Sequence, residues 1–140
     1  MDEATYDSDF FIKERRHWYR NGNLSLVEKI TGKCTDDCCD GSITTYFENG
    51  HIESVYTLVG GVRTGKVLTY YESGELFSEA TYLNDKKDGN YLEWHKNNTI
   101  WVNGTFKADL MDSIWSWYDS LGISTKRQLF DNGEFVKQLE

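Results

Sequence analysis

Residues Gly65 to Asp88 form the stretch GKVLTYYESGELFSEATYLNDKKD, and this stretch decides the fold. Two runs rich in aromatic and other apolar residues flank the pair Ser73-Gly74, and a polar segment follows the second run. Short runs of this kind on either side of Ser-Gly or Asn-Gly are typical of a β-hairpin. The stretch therefore predicts one hairpin followed by a polar connection.

The same pattern recurs along the chain at an interval of about 24 residues. The units start at Gly41, Gly65, Gly89 and Ser113. Four columns of matching residues hold this register, namely Tyr46, Tyr70, Trp94 and Tyr118; Gly50, Gly74, Asn98 and Gly122; Ile52, Leu76 and Ile100; and Leu58, Tyr82, Phe106 and Phe130. A similar order of residues precedes the first unit between Trp18 and Ile30, and Phe130 to Phe135 resembles the start of one more unit. Such self-similarity predicts a repeat protein.

The repeat also predicts how the strands are joined and packed. Asn49-Gly50 and Ser73-Gly74 supply the positive φ angles that tight hairpin tips need. The second connections are expected to be longer and polar, and they are Val59 to Thr64, Asn84 to Asp88 and Lys107 to Asp112. Because one hairpin is marginal in water, the units are expected to stack, with the Tyr/Trp column and the Leu/Tyr/Phe column as their core. The predicted fold is all-β, an elongated antiparallel meander of stacked hairpin repeats.

A resemblance to a known family rests on Tyr70-Tyr71-Glu-Ser-Gly74-Glu-Leu76, followed by Tyr82 and Asp88-Gly89. These residues resemble the MORN repeat variant of bacterial antitoxin-like proteins, and the resemblance extends over roughly Lys13 to Phe135. The chain departs from the family's glycines at three places, which are Asp85, Asn98 and Ser113. The resemblance implies a non-enzymatic protein-binding module, either an antitoxin or immunity-like protein or a structural or scaffold component of a larger assembly, for example a viral one.

Composition and charge limit the partners. The chain has 140 residues, which fit one domain, and its 23 Asp and Glu against 15 Lys and Arg give a formal net charge of −8. Such a chain repels phosphate backbones, so we expect a protein partner with a neutral or basic surface and no nucleic acid. Residues 1–12 are predicted to be a tail or an edge cover, and residues 13–140 the repeat domain. Exposed edge strands would permit self-association.

The location follows from what the sequence lacks. No apolar run approaches the roughly 18 residues that span a bilayer, which predicts no membrane insertion. Met1 to Phe10 has neither the basic start nor the apolar run of a signal peptide. The protein is therefore expected to be intracellular and cytoplasmic.

Aromatic residues make up 15% of the chain, more than one buried stripe in a thin sheet requires. The surplus residues are Tyr71, Phe77, Tyr91, Trp101, Trp115 and Trp117. Some of them are expected on the second face of the sheet. They either pack within the repeat stack or form a partner-binding face, since Tyr and Trp dominate binding hot spots.

The segment Cys34-Thr-Asp-Asp-Cys38-Cys39-Asp40 gathers thiols and carboxylates in one loop. One hypothesis is a zinc or other thiophilic ion, with His17 or His51 completing four ligands, although the spacing is not that of a zinc finger or ribbon. A redox-sensitive loop and plain packing cysteines are the alternatives. Three cysteines are a poor basis for a disulfide framework and fit a reducing compartment.

Catalytic and phosphate-binding motifs are weak. Gly60 to Lys66 matches the spacing of a phosphate loop, but Val67 follows where Ser or Thr would bind magnesium, so a repeat turn is predicted. The basic stretch Lys13 to Arg20 is interpreted as a solvated strand face because the chain is acidic overall. The histidines His17, His51 and His95 lie in no nucleophile motif. We predict a protein that is not an enzyme and needs no cofactor.

Overall fold

The computed structural model describes residues 2–6, 12–32 and 39–140. Within these residues, thirteen strands form one sheet and no helix occurs. The strands in chain order are β1 (Asp2–Tyr6), β2 (Ile12–Trp18), β3 (Leu24–Ile30), β4 (Gly41–Tyr46), β5 (Ile52–Val59), β6 (Val62–Arg63), β7 (Gly65–Tyr70), β8 (Leu76–Leu83), β9 (Lys86–Trp94), β10 (Ile100–Lys107), β11 (Leu110–Tyr118), β12 (Ser124–Asp131) and β13 (Glu134–Leu139).

The sheet is an open meander. Apart from the short β6, which pairs with β5, each strand pairs antiparallel with the strands that precede and follow it in the chain. Two successive strands come from each repeat unit, so the sheet grows along its axis by one hairpin per unit. The predicted all-β meander of hairpin repeats is confirmed.

The N-terminal strand lies at the first end of the sheet. Asp2 lies opposite His17 and Tyr6 lies opposite Ile12, so β1 pairs with β2 along its whole length. The side chains support the pairing, because His17 Nδ1 lies 2.8 Å from Asp2 Oδ1. Residues 2–6 therefore form the end strand of the sheet, while the tail and the edge cover both stay predictions for residues 1–12.

The hairpin tips are three-residue loops with one positive φ angle. The amide of Gly50 donates to Phe47 O at 2.9 Å, and the amide of Phe47 donates to His51 O at 2.8 Å. The φ of Gly50 is +90°, whereas Asn49 has no positive φ. This is a type I turn closed by a left-handed residue, so the expectation that both tip residues supply positive φ is corrected. The same left-handed position recurs at Gly22, Gly74, Asn98 and Gly122.

The second connections are the tighter ones, contrary to the prediction. Two residues join the strands there, and both have positive φ, as type I′ turns require. These turns are Gly60-Gly61, Asn84-Asp85, Ala108-Asp109 and Asn132-Gly133. The polar residues that suggested longer loops, such as Lys86 to Asp88, belong instead to the strands that follow.

A β-bulge repeats in every tip hairpin. In the second unit Thr69 lies opposite Ser78 and Tyr70 lies opposite Leu76, which leaves Phe77 unpaired. The corresponding unpaired residues in the other units are Ser25, Glu53, Trp101 and Thr125. A bulge increases the local twist and reverses the faces of the residues beyond it. The side-chain pattern of each unit therefore changes face near its tip.

Side chains at the tips hydrogen-bond to the next unit. Asn49 Nδ2 donates to Glu72 O at 2.8 Å, while Asn49 Oδ1 accepts from the amide of His51 at 2.9 Å. Asn21 and Asn97 occupy the same position in their units and donate to the following tips in the same way. These bonds join neighbouring tips at three places along this long edge of the sheet.

Aspartates do the same at the opposite long edge. Asp85 Oδ1 accepts from the amide of Arg63 at 2.9 Å, and Asp109 Oδ1 accepts from the amide of Lys87 at 2.7 Å. Asp85 also adopts a φ of +64°, which places it at the second position of its type I′ turn. The sheet therefore tolerates aspartate instead of glycine at position 85. The hydrogen bond from Arg63 to the Asp85 side chain offsets the cost of the left-handed backbone conformation.

The core differs from the predicted one. The buried apolar residues among those described are Val27, Ile43, Val67, Ala80, Val102 and Trp115. Ile43, Val67 and Trp115 occupy the third position of their units, a column that the sequence analysis did not select. The two columns predicted as core are half-buried instead. A single-layer sheet buries only those side chains that are covered by neighbours on the same face. The large side chains of the two predicted columns provide this cover and stay half-buried themselves.

Candidate binding surface

One face of the sheet collects aromatic rings and cations. Alternate residues of a strand share a face, and residues directly opposite on paired strands share it as well. Along β9 this rule groups Lys87, Tyr91 and Glu93, and strand pairing extends the group to β5 on one side and β12 on the other. The aromatic face, as we call it, comprises Tyr56, Arg63, Tyr82, Lys87, Tyr91, Glu93, Phe106, Trp115, Trp117 and Lys126.

Trp115 is the centre of this face and is only 3% exposed. Its Nε1 donates to Thr105 O at 3.1 Å, so the buried indole has its hydrogen-bond partner. The ring of Phe106 meets it edge-on at 4.9 Å between centroids, and the rings of Tyr91 and Trp117 lie at 5.6 and 6.2 Å. The packed rings form one contiguous apolar cluster.

Cations lie directly over these rings. Lys87 Nζ is 4.9 Å from the ring centroids of both Tyr91 and Phe106, and Lys126 Nζ is 4.5 Å from that of Trp117. The guanidinium of Arg63 lies 4.8 Å from the ring of Tyr82 and 6.0 Å from that of Tyr56. A cation over an aromatic ring is stabilised by about 0.5–2 kcal/mol. These contacts restrict where the positive charges of the face can lie.

The negative group of the face is already engaged. Tyr91 Oη donates a hydrogen bond to Glu93 Oε1. Burial, and then this hydrogen bond, raise the pKa of Tyr91 well above its ordinary value, so the phenol stays protonated at neutral pH. Arg63 Nε donates to Asp85 Oδ1 at 3.0 Å, and the bonds from Arg63 hold the pKa of Asp85 below its ordinary value. Lys87 and Lys126 therefore carry the free charges of the face.

The six aromatic residues singled out from the sequence divide between this face and the tips. Tyr91, Trp115 and Trp117 lie together on the aromatic face. Tyr71 and Phe77 pack against each other near a tip, with ring centroids 5.0 Å apart. Trp101 stacks on His95 at 5.6 Å and is the exposed residue of the six, at 40%.

Sequence reasoning missed the other seven residues of this surface, which are Tyr56, Arg63, Tyr82, Lys87, Glu93, Phe106 and Lys126. One available sign was the position of Arg63 and Lys87, which stand at the same place in successive units. Tyr82 and Phe106 were identified as a column but were assigned to the core. The sequence does not show which rings the cations cover, because that depends on how the strands pair.

The cysteine segment is partly outside the described residues, since Cys34 and Cys38 lie there. Cys39 is disulfide-bonded, although three cysteines are a poor basis for a disulfide framework. Among the residues that the structure describes, no cluster of His, Cys, Asp and Glu could hold a metal ion. His51 Nδ1 lies 2.8 Å from Glu72 O at a hairpin tip. The metal and redox hypotheses for this loop remain predictions.

The remaining motifs occupy ordinary places in the sheet. Gly60 and Gly61 form a two-residue turn, and the segment after Gly65 is the strand β7. In the basic stretch, Arg15 pairs with Glu28 at 3.3 Å. Across the described ranges, no helix is long and apolar enough to cross a membrane. Whether the protein is cytoplasmic stays a prediction.

Comparison with known proteins identifies one of the units. Residues 63–84 match the family model described as MORN repeat variant. A search of curated proteins finds no match. The matched segment contains β7, its tip at Gly74 and β8, and the sheet repeats this hairpin on both sides. The unit at residues 63–84 is therefore similar to a MORN repeat variant.

Proposed function

We propose that the chain is a non-enzymatic protein-binding module and that the aromatic face is its contact surface. The observation that carries this proposal is a packed cluster of Trp, Tyr and Phe rings on a single-layer sheet. No second layer of helix or sheet covers that cluster within the described residues. Trp, Tyr and Arg are the residues most enriched in binding hot spots. A partner that covers this face would supply the missing layer.

The surface area supports the same conclusion. The accessible surface is 8991 Å² for a mass of 16.3 kDa. A compact monomer of this mass exposes roughly 7,500 Å². The single-layer sheet thus exposes an additional area larger than the roughly 800 Å² that each partner buries in a standard interface.

An antitoxin or immunity-like role is one specific form of this proposal. The net charge of −8 favours approach of a partner with a basic surface, because complementary charge raises association rates. In this form one partner enzyme binds tightly, at a ratio of one to one, and loses its activity.

A scaffold role is the second form. It is favoured by β13, which lies at one end of the sheet and has two exposed apolar residues, Phe135 at 55% and Val136 at 51%. An exposed edge strand can pair with another chain. In this form the protein self-associates or makes several weak symmetric contacts.

Affinity capture from native extract, followed by mass spectrometry and reconstitution with the purified partner, tests the proposal. The wild type is compared with the variant Trp117→Ala and with the control Leu83→Ser, which alters a residue outside the aromatic face that is 53% exposed. We expect a stoichiometric partner that Trp117→Ala loses and the control retains. Equal retention by all three proteins, or the absence of any stoichiometric partner, would contradict the proposal.

A further inference from the structure

Both long edges of the sheet carry more acidic than basic residues in and beside their turns. At one edge these are Asp40, Asp85, Asp109, Asp131 and Glu134 against Lys86 and Lys107, and at the other Glu48, Glu72, Glu75 and Asp119 against Arg20 and Lys96. Among the residues that define the aromatic face, Glu93 is the acidic one, and its carboxylate accepts the hydrogen bond of Tyr91. An acidic protein therefore presents a face that is locally positive.

Two cations of that face are without a carboxylate partner in the described structure. The ion pairs of the described residues join Arg15 to Glu28, Arg16 to Glu14, His17 to Asp2, Arg63 to Asp85 and Lys66 to Glu79. Lys87 and Lys126 take part in none of them. Each ammonium group instead rests on aromatic rings on one side. A carboxylate that approaches from the other side would complete a charge-assisted hydrogen bond.

We propose that the aromatic face binds an acidic segment of the partner protein. Carboxylates of that segment meet Lys87 and Lys126, and its apolar side chains pack on Trp117 and Phe106. This inference rests on the proposed protein-binding function and adds the chemistry of the partner. It is compatible with a partner that is basic overall, because net charge governs approach from a distance, whereas contacts within a Debye length of about 8 Å govern what binds at the face.

The negative charge at the two long edges favours a short acidic peptide over larger polyanions as the ligand of the aromatic face. A nucleic-acid strand or an anionic membrane carries negative charge over its whole length, so it extends past the face and meets the carboxylates at the edges. Like charges brought together in this way repel. A short acidic segment that ends within the face avoids them. The arrangement therefore favours an acidic protein segment.

Fluorescence anisotropy with a labelled, soluble peptide of alternating glutamate and leucine tests the inference. The proteins are the wild type, the double variant Lys87→Gln, Lys126→Gln, and the control Lys66→Gln, whose lysine pairs with Glu79 and lies off the aromatic face. We expect saturable binding that weakens about ten-fold or more in the double variant and is unchanged in the control. Circular dichroism melts of all three proteins show whether the variants remain folded.

Several results would overturn the inference. These are no saturable binding of the peptide, an equal loss in the control, or tighter binding of a matched lysine–leucine peptide. A single-stranded oligonucleotide or an anionic vesicle that displaces the peptide at equal charge concentration would replace the acidic segment with a polyanion or a membrane.

The captured partner separates failure of this inference from failure of the proposed function. If the partner needs Trp117 but tolerates loss of both lysine charges, the aromatic face binds it without an acidic segment, and only the inference fails. If the partner needs neither Trp117 nor the lysines, both proposals fail.

Discussion

The backbone at Gly104 lies directly beneath the indole ring of Trp115. A β-carbon at Gly104 would lie 2.2 Å from Cδ2 of Trp115, far inside contact distance. Gly104 sits where the pairing of β10 with β11 shifts register, so the bulge and the missing side chain together make room for the ring. The centre of the aromatic face therefore depends on one glycine.

Gly104→Ala is expected to destabilise the protein by about 1–3 kcal/mol, because the added methyl group overpacks against Trp115. Thermal or urea unfolding measures the loss. The same substitution in a Trp115→Leu background provides the control, and there it should cost less because the smaller side chain leaves space. An equal cost in both backgrounds would show that the contact with the indole is not the cause.

Ala108→Gly is expected to stabilise the protein by about 1 kcal/mol. Ala108 adopts a φ of +49°, a left-handed conformation that is unfavourable for residues with a β-carbon. Ala80→Gly is the matched control, since Ala80 is 4% exposed and lies within a strand, where glycine is destabilising. Differential scanning calorimetry should show shifts of opposite sign. A lower melting temperature for Ala108→Gly would contradict the strain argument.

Asn49→Ala is expected to cost about 1 kcal/mol, since it removes the hydrogen bonds to Glu72 O and from the amide of His51. Ser73→Asn is the complementary change, because it places asparagine at the position that Asn21, Asn49 and Asn97 hold in other units. Chemical denaturation should find this variant at least as stable as the wild type. Loss of stability in Ser73→Asn, or none in Asn49→Ala, would refute the role of these bonds.

Tyr91 makes the protein sensitive to alkali. Burial, followed by the bond to Glu93, raises the pKa of the folded state above the ordinary value of 10.0. The resulting stability is therefore complete below pH 10 and is lost as the pH rises above that value, where the unfolded chain ionises first. In Tyr91→Phe the alkaline loss should be smaller. Stability measured against pH, together with ultraviolet detection of tyrosinate, checks this, and identical pH profiles for both proteins would disprove it.

The repeat could be predicted because the same residue types recur at a fixed interval in the sequence. Gly65, Tyr70, Gly74 and Tyr82 recur in the other units, and each feature has a local physical cause. The turn lengths could not be predicted in this way. Ala108 adopts a positive φ angle, which alanine rarely does, so composition gave no indication of a two-residue turn there.

The core and the binding surface were harder to predict from the sequence, for a different reason. The bulge at residues such as Phe77 reverses the faces beyond it, and a reversal by one residue moves a whole column of side chains. The aromatic surplus was foreseen from composition, and Tyr91, Trp115 and Trp117 do cluster. Their common face, and the cations that cover it, follow only from strand pairing.

Lysine footprinting of the reconstituted complex tests the central claim most directly. Acetylation rates of Lys87, Lys126 and Lys66 are measured by mass spectrometry for the free protein and for the complex with its captured partner. If the aromatic face is the contact surface, Lys87 and Lys126 become protected while Lys66 reacts as before. Protection of Lys66 with unchanged reactivity of Lys87 and Lys126 would place the partner elsewhere and contradict the account.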